Sequence, residues 1–265
     1  MKKIIISIVL IVALLLFPLY NLSHLSSEKD QSSAKVSLSA IEFLDALSSF
    51  DVGKAQGAVI AAEKKREDPS GNKEKINNIL KKLKTGKTTY RKVFKNVYIV
   101  GDSLMNGLEA YDILNSNHLI TQVSASLYHL SDNMEKIIEI KPPVLIIHYG
   151  VNMISTDKVL KDNFIKFYTK LIKQLKKELP DTRIIVSGIF PVDREVATAK
   201  RFGKIGEYNK ALKQMCKSLK VEYLDSSPVL KKHPECYGSD GIHLSKEFYE
   251  KYWLRYIIQE MEIGI

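Results

Sequence analysis

Two short segments, far apart in the chain, hold the residue types of acyl transfer. Gly101-Asp102-Ser103-Leu104 follows an apolar run, and Asp240-Gly241-Ile242-His243 lies near the C-terminus. A serine hydroxyl is a weak nucleophile at neutral pH. It needs an imidazole to take its proton and a carboxylate to hold that imidazole in one tautomer. Ser103, His243 and Asp240 supply these three groups.

The elements around Ser103 suit that chemistry. Val97-Tyr98-Ile99-Val100 is a β-branched and aromatic run closed by Gly101, and Leu104, Leu108, Tyr111 and Ile113 then recur at roughly helical spacing. Ser103 is therefore expected where a strand hands over to a helix. Backbone N–H groups are free at a helix start and the local dipole is positive, which favours a developing oxyanion. The same position also suits Asp102 or Ser103 as a plain helix cap.

A third segment, Val144-Leu145-Ile146-Ile147-His148-Tyr149-Gly150-Val151-Asn152, reads as a buried parallel strand ending in Gly, with an Asn just beyond its carboxyl edge. With the three segments in this order, residues 94 to 262 resemble the SGNH hydrolases, also called the GDSL esterase family. The resemblance implies Ser103 as nucleophile, His243 as general base, Asp240 as its orienter and the Asn152 amide as an oxyanion donor. It also implies a flavodoxin-like α/β/α sandwich on a five-stranded parallel sheet. The chain departs from the family pattern twice. Ser124, in Val123-Ser124-Ala125-Ser126-Leu127, stands where a Gly usually lends its backbone N–H to the oxyanion hole, and Met153 stands where an Asp usually follows the Asn. Any residue except Pro can donate a backbone N–H, so Ser103, Ser124 and Asn152 remain the expected hole.

Other candidates are weaker. His148 beside the third segment reads as a structural histidine at a strand end, and His118, His129 and His233 have no carboxylate at a telling spacing. Asp193-Arg194-Glu195 falls where open α/β sheets place substrate-facing loops, though a solvated charged turn explains it equally simply. There is no His-Glu-x-x-His, Cys-x-x-Cys or phosphate-cradling Gly loop, so neither metal nor cofactor is expected. Cys216 and Cys236 both fall in the expected catalytic domain, and sequence leaves a disulfide and two free thiols open.

Strand-like runs at 94–100, 118–123, 143–148, 183–188 and 221–224 alternate with helical patterns, among them Phe164, Phe167, Leu171 and Leu175, then Tyr208, Leu212 and Met215, and a last helix from Ser245 to about Met261. That alternation argues a parallel sheet covered on both faces. On this topology the chemistry-bearing residues all lie beyond strand carboxyl ends.

Ahead of this catalytic domain, expected at 91–265, Met-Lys-Lys precedes a charge-free apolar stretch from Ile4 to Tyr20. Its length is near the minimum for a bilayer-spanning helix. No small-x-small cleavage site follows, so residues 1–22 read as an uncleaved signal anchor, with Lys2 and Lys3 inside and the remainder extracytoplasmic. Residues 23–90 read as a polar linker followed by a basic helical stalk or cap. Ile41, Leu44, Leu47 and Phe50 mark one helix, and Ile76, Ile79, Leu80 and Leu83 mark another after the Asp68-Pro69-Ser70-Gly71 break.

Of the net charge of +10, the excess sits in residues 54–95, with 13 Lys and Arg against 4 Asp and Glu. Outside the membrane, such a segment suits lipid head groups or an anionic envelope polymer, or is simply a solvated helix face; nucleic acid is not an expected partner. The whole reads as a membrane-anchored serine esterase acting on acylated small molecules or glycans, O-acetyl esters foremost. An O-acetyltransferase using the same acyl-enzyme is the first alternative. A non-catalytic glycan-binding protein is the second.

Overall fold

The structure is a computed structural model that describes residues 69–265. The expected anchor, the linker and the first stalk helix lie outside the described residues. Among those described, no helix is long and apolar enough to cross a membrane.

Five parallel strands form one sheet in the order β2-β1-β3-β4-β5: β1 is Val97–Gly101, β2 Leu119–Thr121, β3 Val144–His148, β4 Arg183–Ser187 and β5 Glu222–Leu224. Each falls within a residue of, or inside, an apolar run seen in the sequence. In register, Val97 pairs with Val144 and Gly101 with His148, and Val144 in turn pairs with Arg183. Because both faces are covered, the central strands are apolar throughout: Ile99, Val100, Leu145, Ile146, Ile147, Ile185 and Val186 are wholly buried. Strand order reverses between β1 and β3, and a doubly wound sheet opens its crevice beyond the carboxyl ends of the two strands flanking that reversal. The loops that follow β1 and β3 carry Ser103 and Asn152.

The helices are amphipathic in the manner the sequence implies. Helix α1, Pro69–Lys84, begins with proline in its first turn and turns Ile76 and Leu80 into the core, while Lys73, Lys75, Lys81, Lys82 and Lys84 are exposed. The described residues fall in a single unit. The basic segment after Pro69 is a helix whose Ile76 and Leu80 belong to the same core as the sheet. After α2 (Tyr90–Val93), helix α3 (Ser103–Ala110) leaves β1, α4 (Leu127–Asp132) and α5 (Met134–Ile140) precede β3, and α6 (Lys158–Glu178) precedes β4. Helix α6 buries Phe164, Tyr168, Leu171, Ile172 and Leu175. Helix α7 (Arg194–Ala197) and helix α8 (Ile205–Leu219) precede β5, and α9 (Ser227–Lys232) follows it.

The expected C-terminal helix is present, but its first part is a π-helical stretch, Phe248–Trp253, continued by α10, Leu254–Glu260. Such a widened turn shifts the angular position of the residues it carries. Here it sets Phe248, Tyr249 and Trp253 together in the core. Trp253 Nε1 donates to Ser226 Oγ at 2.9 Å, and Tyr249 Oη donates to the Leu104 carbonyl at 2.5 Å. The end of the chain thereby grips the first turn of α3.

Gly101 is required by close approach. A Cβ there would lie 2.4 Å from Met105 Cγ and 2.8 Å from the His148 carbonyl oxygen. The second contact is backbone of the neighbouring strand and cannot rotate away. Gly101→Ala is expected to lower stability by about 1–3 kcal/mol through overpacking as α3 is displaced. Thermal unfolding measures this, and an alanine variant with wild-type stability would remove the constraint.

Candidate active site

Asp102 starts α3. Its backbone is extended, and its Oδ1 accepts the Leu104 N–H at 3.1 Å, a side-chain N-cap. This leaves Ser103 as the first helical residue, its hydroxyl at the crevice and its own N–H without an intramolecular partner among the described residues. The capping role considered for this position belongs to Asp102.

The loop 238–243 returns to this point from 140 positions later in the chain. His243 Nε2 lies 3.0 Å from Ser103 Oγ, and His243 Nδ1 lies 2.5 Å from Asp240 Oδ2. Asp240 Oδ1 accepts the backbone N–H groups of Ile242 and His243, both at 2.9 Å, so the carboxylate folds the loop as well as holding the ring. Burial pushes the Asp240 carboxyl up, but the His243 hydrogen bond, these two N–H groups and the imidazole charge outweigh it and hold it at about 2. Asp240 is therefore ionised across the neutral range. An ionised carboxylate only accepts, so Nδ1 carries the proton and the Nε2 lone pair faces Ser103.

Each of the three expected oxyanion donors, Ser103, Ser124 and Asn152, keeps an N–H without an intramolecular partner among the described residues. Asn152 is exposed, and its Nδ2 donates one hydrogen to the Ala125 carbonyl at 2.9 Å. Because a carbonyl accepts only, that bond fixes the amide orientation and leaves the second Nδ2 hydrogen free. Ser124 has φ +58°, the left-handed region that favours glycine. The conformation of a glycine is thus retained with a serine in it, and the Ser124 N–H has no intramolecular partner among the described residues. Met153 also has a role. Its sulfur accepts the Leu127 N–H at 3.4 Å, so the thioether ties the Asn152 turn to the Ser124 segment where the family has an acid.

Other groups are placed beneath the site. His148 is wholly buried, its Nδ1 is 3.0 Å from Ser187 Oγ, and burial pushes it down to about 3, so it stays neutral and structural. Asp102 is also wholly buried, with Oδ2 unpartnered; burial raises its carboxyl to about 7 against the Leu104 hydrogen bond and the His243 charge. His118 stacks on Tyr98, and His233 stacks on Tyr252 and bonds Glu235. Cys216 and Cys236 are buried free thiols; burial pushes Cys216 up to about 12 and raises Cys236 as well. The contributions of Ala125, Met153 and Tyr249 had no sequence signal, because a carbonyl acceptor, a thioether and a tyrosine are informative only once their partners are known. Among the described residues no group of His, Cys, Asp and Glu is arranged to hold a metal ion.

Comparison with known proteins gives the family and the fold. Residues 99–251 match the GDSL-like Lipase/Acylhydrolase family. A search of curated proteins finds no match. Among solved structures, a GDSL-like lipase from Bacteroides thetaiotaomicron is similar at 15% identity and TM-score 0.51, over 71% of this chain and 97% of that one. A variant of an acetyl xylan esterase from Geobacillus stearothermophilus is similar at 14% identity and TM-score 0.50, over 64% and 95%. At these identities the likeness is one of fold. The chain belongs to the GDSL-like lipase/acylhydrolase family, the SGNH hydrolases. It is a serine ester hydrolase.

Two outcomes follow from the buried and strained groups. The unfolded chain releases the Asp102 proton near pH 4 and the folded chain only near pH 7, so folding carries a penalty that grows over that interval and then levels. Asp102→Asn, neutral at every pH, should therefore gain melting temperature over wild type as pH rises from 4 to 8; a constant difference would contradict the raised carboxyl. Ser124→Gly relieves the left-handed strain and should add about 1 kcal/mol of stability, read by denaturant unfolding, while preserving turnover.

Proposed function

We propose that this chain is a membrane-anchored, extracytoplasmic esterase that removes O-acetyl groups from cell-envelope glycans through Ser103, His243 and Asp240. The observation that carries the catalytic part is the relay from Asp240 through both nitrogens of His243 to Ser103 Oγ, with every distance within hydrogen-bond range. His243 Nε2 takes the Ser103 proton as Oγ attacks the ester carbonyl. The N–H groups of Ser103 and Ser124 and the Asn152 amide receive the oxyanion. His243 returns the proton to the departing alkoxide oxygen, leaving an acyl-serine. Water then attacks that acyl group, giving its proton to His243, and collapse of the second intermediate frees the carboxylic acid and restores Ser103.

Support for the finer reading comes from three directions. About half of the Asp240 and His243 side-chain surface is open to solvent, so water has the access to the acyl-enzyme that hydrolysis requires. The family hydrolyses acyl esters, and one neighbour of this fold carries the name acetyl xylan esterase, which motivates an acetyl group on a glycan. The apolar run from Ile4 to Tyr20 behind Lys2 and Lys3 motivates the anchor and the orientation.

Turnover of p-nitrophenyl acetate by the full-length protein tests the relay. Ser103→Ala should lower kcat by about 10⁶, Asp240→Asn by about 10⁴ and Asn152→Ala by about 10²–10³. Equal activity in Asn152→Ala and wild type would remove Asn152 from the site. Adding a glycan acceptor and following acetate separates the outcomes further, since acetylated glycan formed in place of free acetate would overturn the hydrolase in favour of the transferase.

A further inference from the structure

A cleft of about 640 Å³ lies beside the loop that carries Asp240 and His243, and the reaction described above makes no use of it. Its walls come from the loop after β4 and from the segment after β5, with Pro191, Leu230, Pro234 and Tyr237 as apolar surface, Arg194 and Lys231 as cations and Asp193 as the one acid. It is joined directly to the catalytic loop. Asp193 N–H donates to the Gly241 carbonyl at 2.8 Å, and Tyr237 Oη donates to the Pro191 carbonyl at 2.6 Å. Gly241 also packs against the Asp193 and Val196 side chains so closely that a Cβ would lie 3.0 and 2.6 Å from them.

The stereochemistry of the reaction gives this cleft a role. His243 Nε2 must hand its proton to the departing oxygen, so the alcohol part of the ester lies on the His243 side of Ser103. The oxyanion donors Ser124 and Asn152 come from the loops after β2 and β3 instead, while the cleft lies among the loops after β4 and β5, on the base side. Its charge gives the class of ligand. Neither Arg194 nor Lys231 makes an ion pair among the described residues. Of the nearby acids, Asp193 Oδ1 caps α7 through the Glu195 N–H at 3.0 Å, Glu235 is held by His233 and Asp240 by His243, while the Glu195 side chain is exposed outside the lining. Among the lining residues these two cations stand against one carboxylate, Asp193, which leaves a net positive charge in a largely apolar cleft.

We propose that this cleft is the alcohol-side subsite, and that it takes a sugar or polyol unit bearing a carboxylate or a phosphate. Apolar ring faces pack on the Tyr237 and proline walls, and the anionic group meets Arg194 and Lys231. The proposal rests on the catalytic reading of Ser103 and narrows its substrate to acylated anionic polymers.

The rate at which a fluorophosphonate labels Ser103 in the full-length protein tests this without knowledge of the acyl group. Oligogalacturonate, a glycerol phosphate oligomer and neutral xylo-oligosaccharide serve as competitors. An anionic oligomer should slow labelling where the neutral one does not, and the effect should weaken with added salt. Arg194→Ala with Lys231→Ala should raise the half-protecting concentration by about tenfold or more, whereas Arg194→Lys with Lys231→Arg should keep protection. Protection by the phosphate oligomer alone assigns phosphate, and by oligogalacturonate alone assigns carboxylate. Equal protection by neutral and anionic oligomers, no protection by either, or full protection of the alanine variant would overturn the subsite. Failure of the wild type to label at all would instead bring down the catalytic reading beneath it.

Discussion

The site depends on holding one loop, residues 238–243, against the end of a strand laid down 140 positions earlier. The hydrogen bond from Ser103 to His243 is a single contact between a partly buried serine and a half-exposed histidine, and such a bond contributes only about 1 kcal/mol net. It cannot position the loop by itself. The loop is held instead by a ring of stronger constraints. Gly238 N–H donates to the His243 carbonyl at 2.7 Å, Tyr237 pairs with Leu244 in an isolated antiparallel bridge, and Tyr111 Oη donates to the Leu244 carbonyl at 3.2 Å. Asp193 latches Gly241 from the side of β4. Asp240 adds its two N–H bonds to this backbone frame and orients the ring with its other oxygen.

The other half of the site is built by the same logic on the opposite side of Ser103. The Ser124 segment and the Asn152 turn are separate loops, yet the bonds from Asn152 to Ala125 and from Leu127 to Met153 make them one piece. The departures from the family pattern are absorbed locally. Serine occupies a left-handed position whose backbone N–H is what the chemistry needs, and methionine sulfur accepts a hydrogen bond in a place where an acid is usual. The proposed oxyanion hole asks for a backbone N–H at one of these positions and a loop-to-loop contact at the other, and both are present.

Beneath both halves lies a layer of buried polar groups at the carboxyl ends of the central strands. Asp102 caps the nucleophile helix, and neutral His148 spans from β3 to Ser187 on β4. Burying ionisable groups here is unfavourable unless they lose their charge, which the raised Asp102 and lowered His148 do. Stability directly below the nucleophile is thus tied to a carboxyl that stays protonated into the neutral range. The His148 ring packs on Phe190, which packs in turn on Phe248 and Trp253 of the C-terminal helix, so the layer is continuous with the aromatic core that grips Leu104.

The strands, the major helices and the residues of the relay were legible in the chain itself. A parallel strand buried on both faces must be a continuous apolar run, as in Leu145-Ile146-Ile147, and a nucleophile at a strand-to-helix junction leaves the short signature around Ser103. The Asp240 to His243 spacing was equally readable, because one carboxylate can cap two N–H groups and reach the ring only within a single tight turn. Tertiary structure alone decided which groups support them. That the segment after Pro69 packs against the C-terminal helix, that two cysteines stay free thiols, that a methionine bridges two loops and that a cleft bearing Arg194 and Lys231 adjoins the base loop are facts about neighbours distant in sequence. Local residue pattern encodes local conformation and burial, whereas those contacts arise only when five strand ends and the loops beyond them are brought to one edge of the sheet.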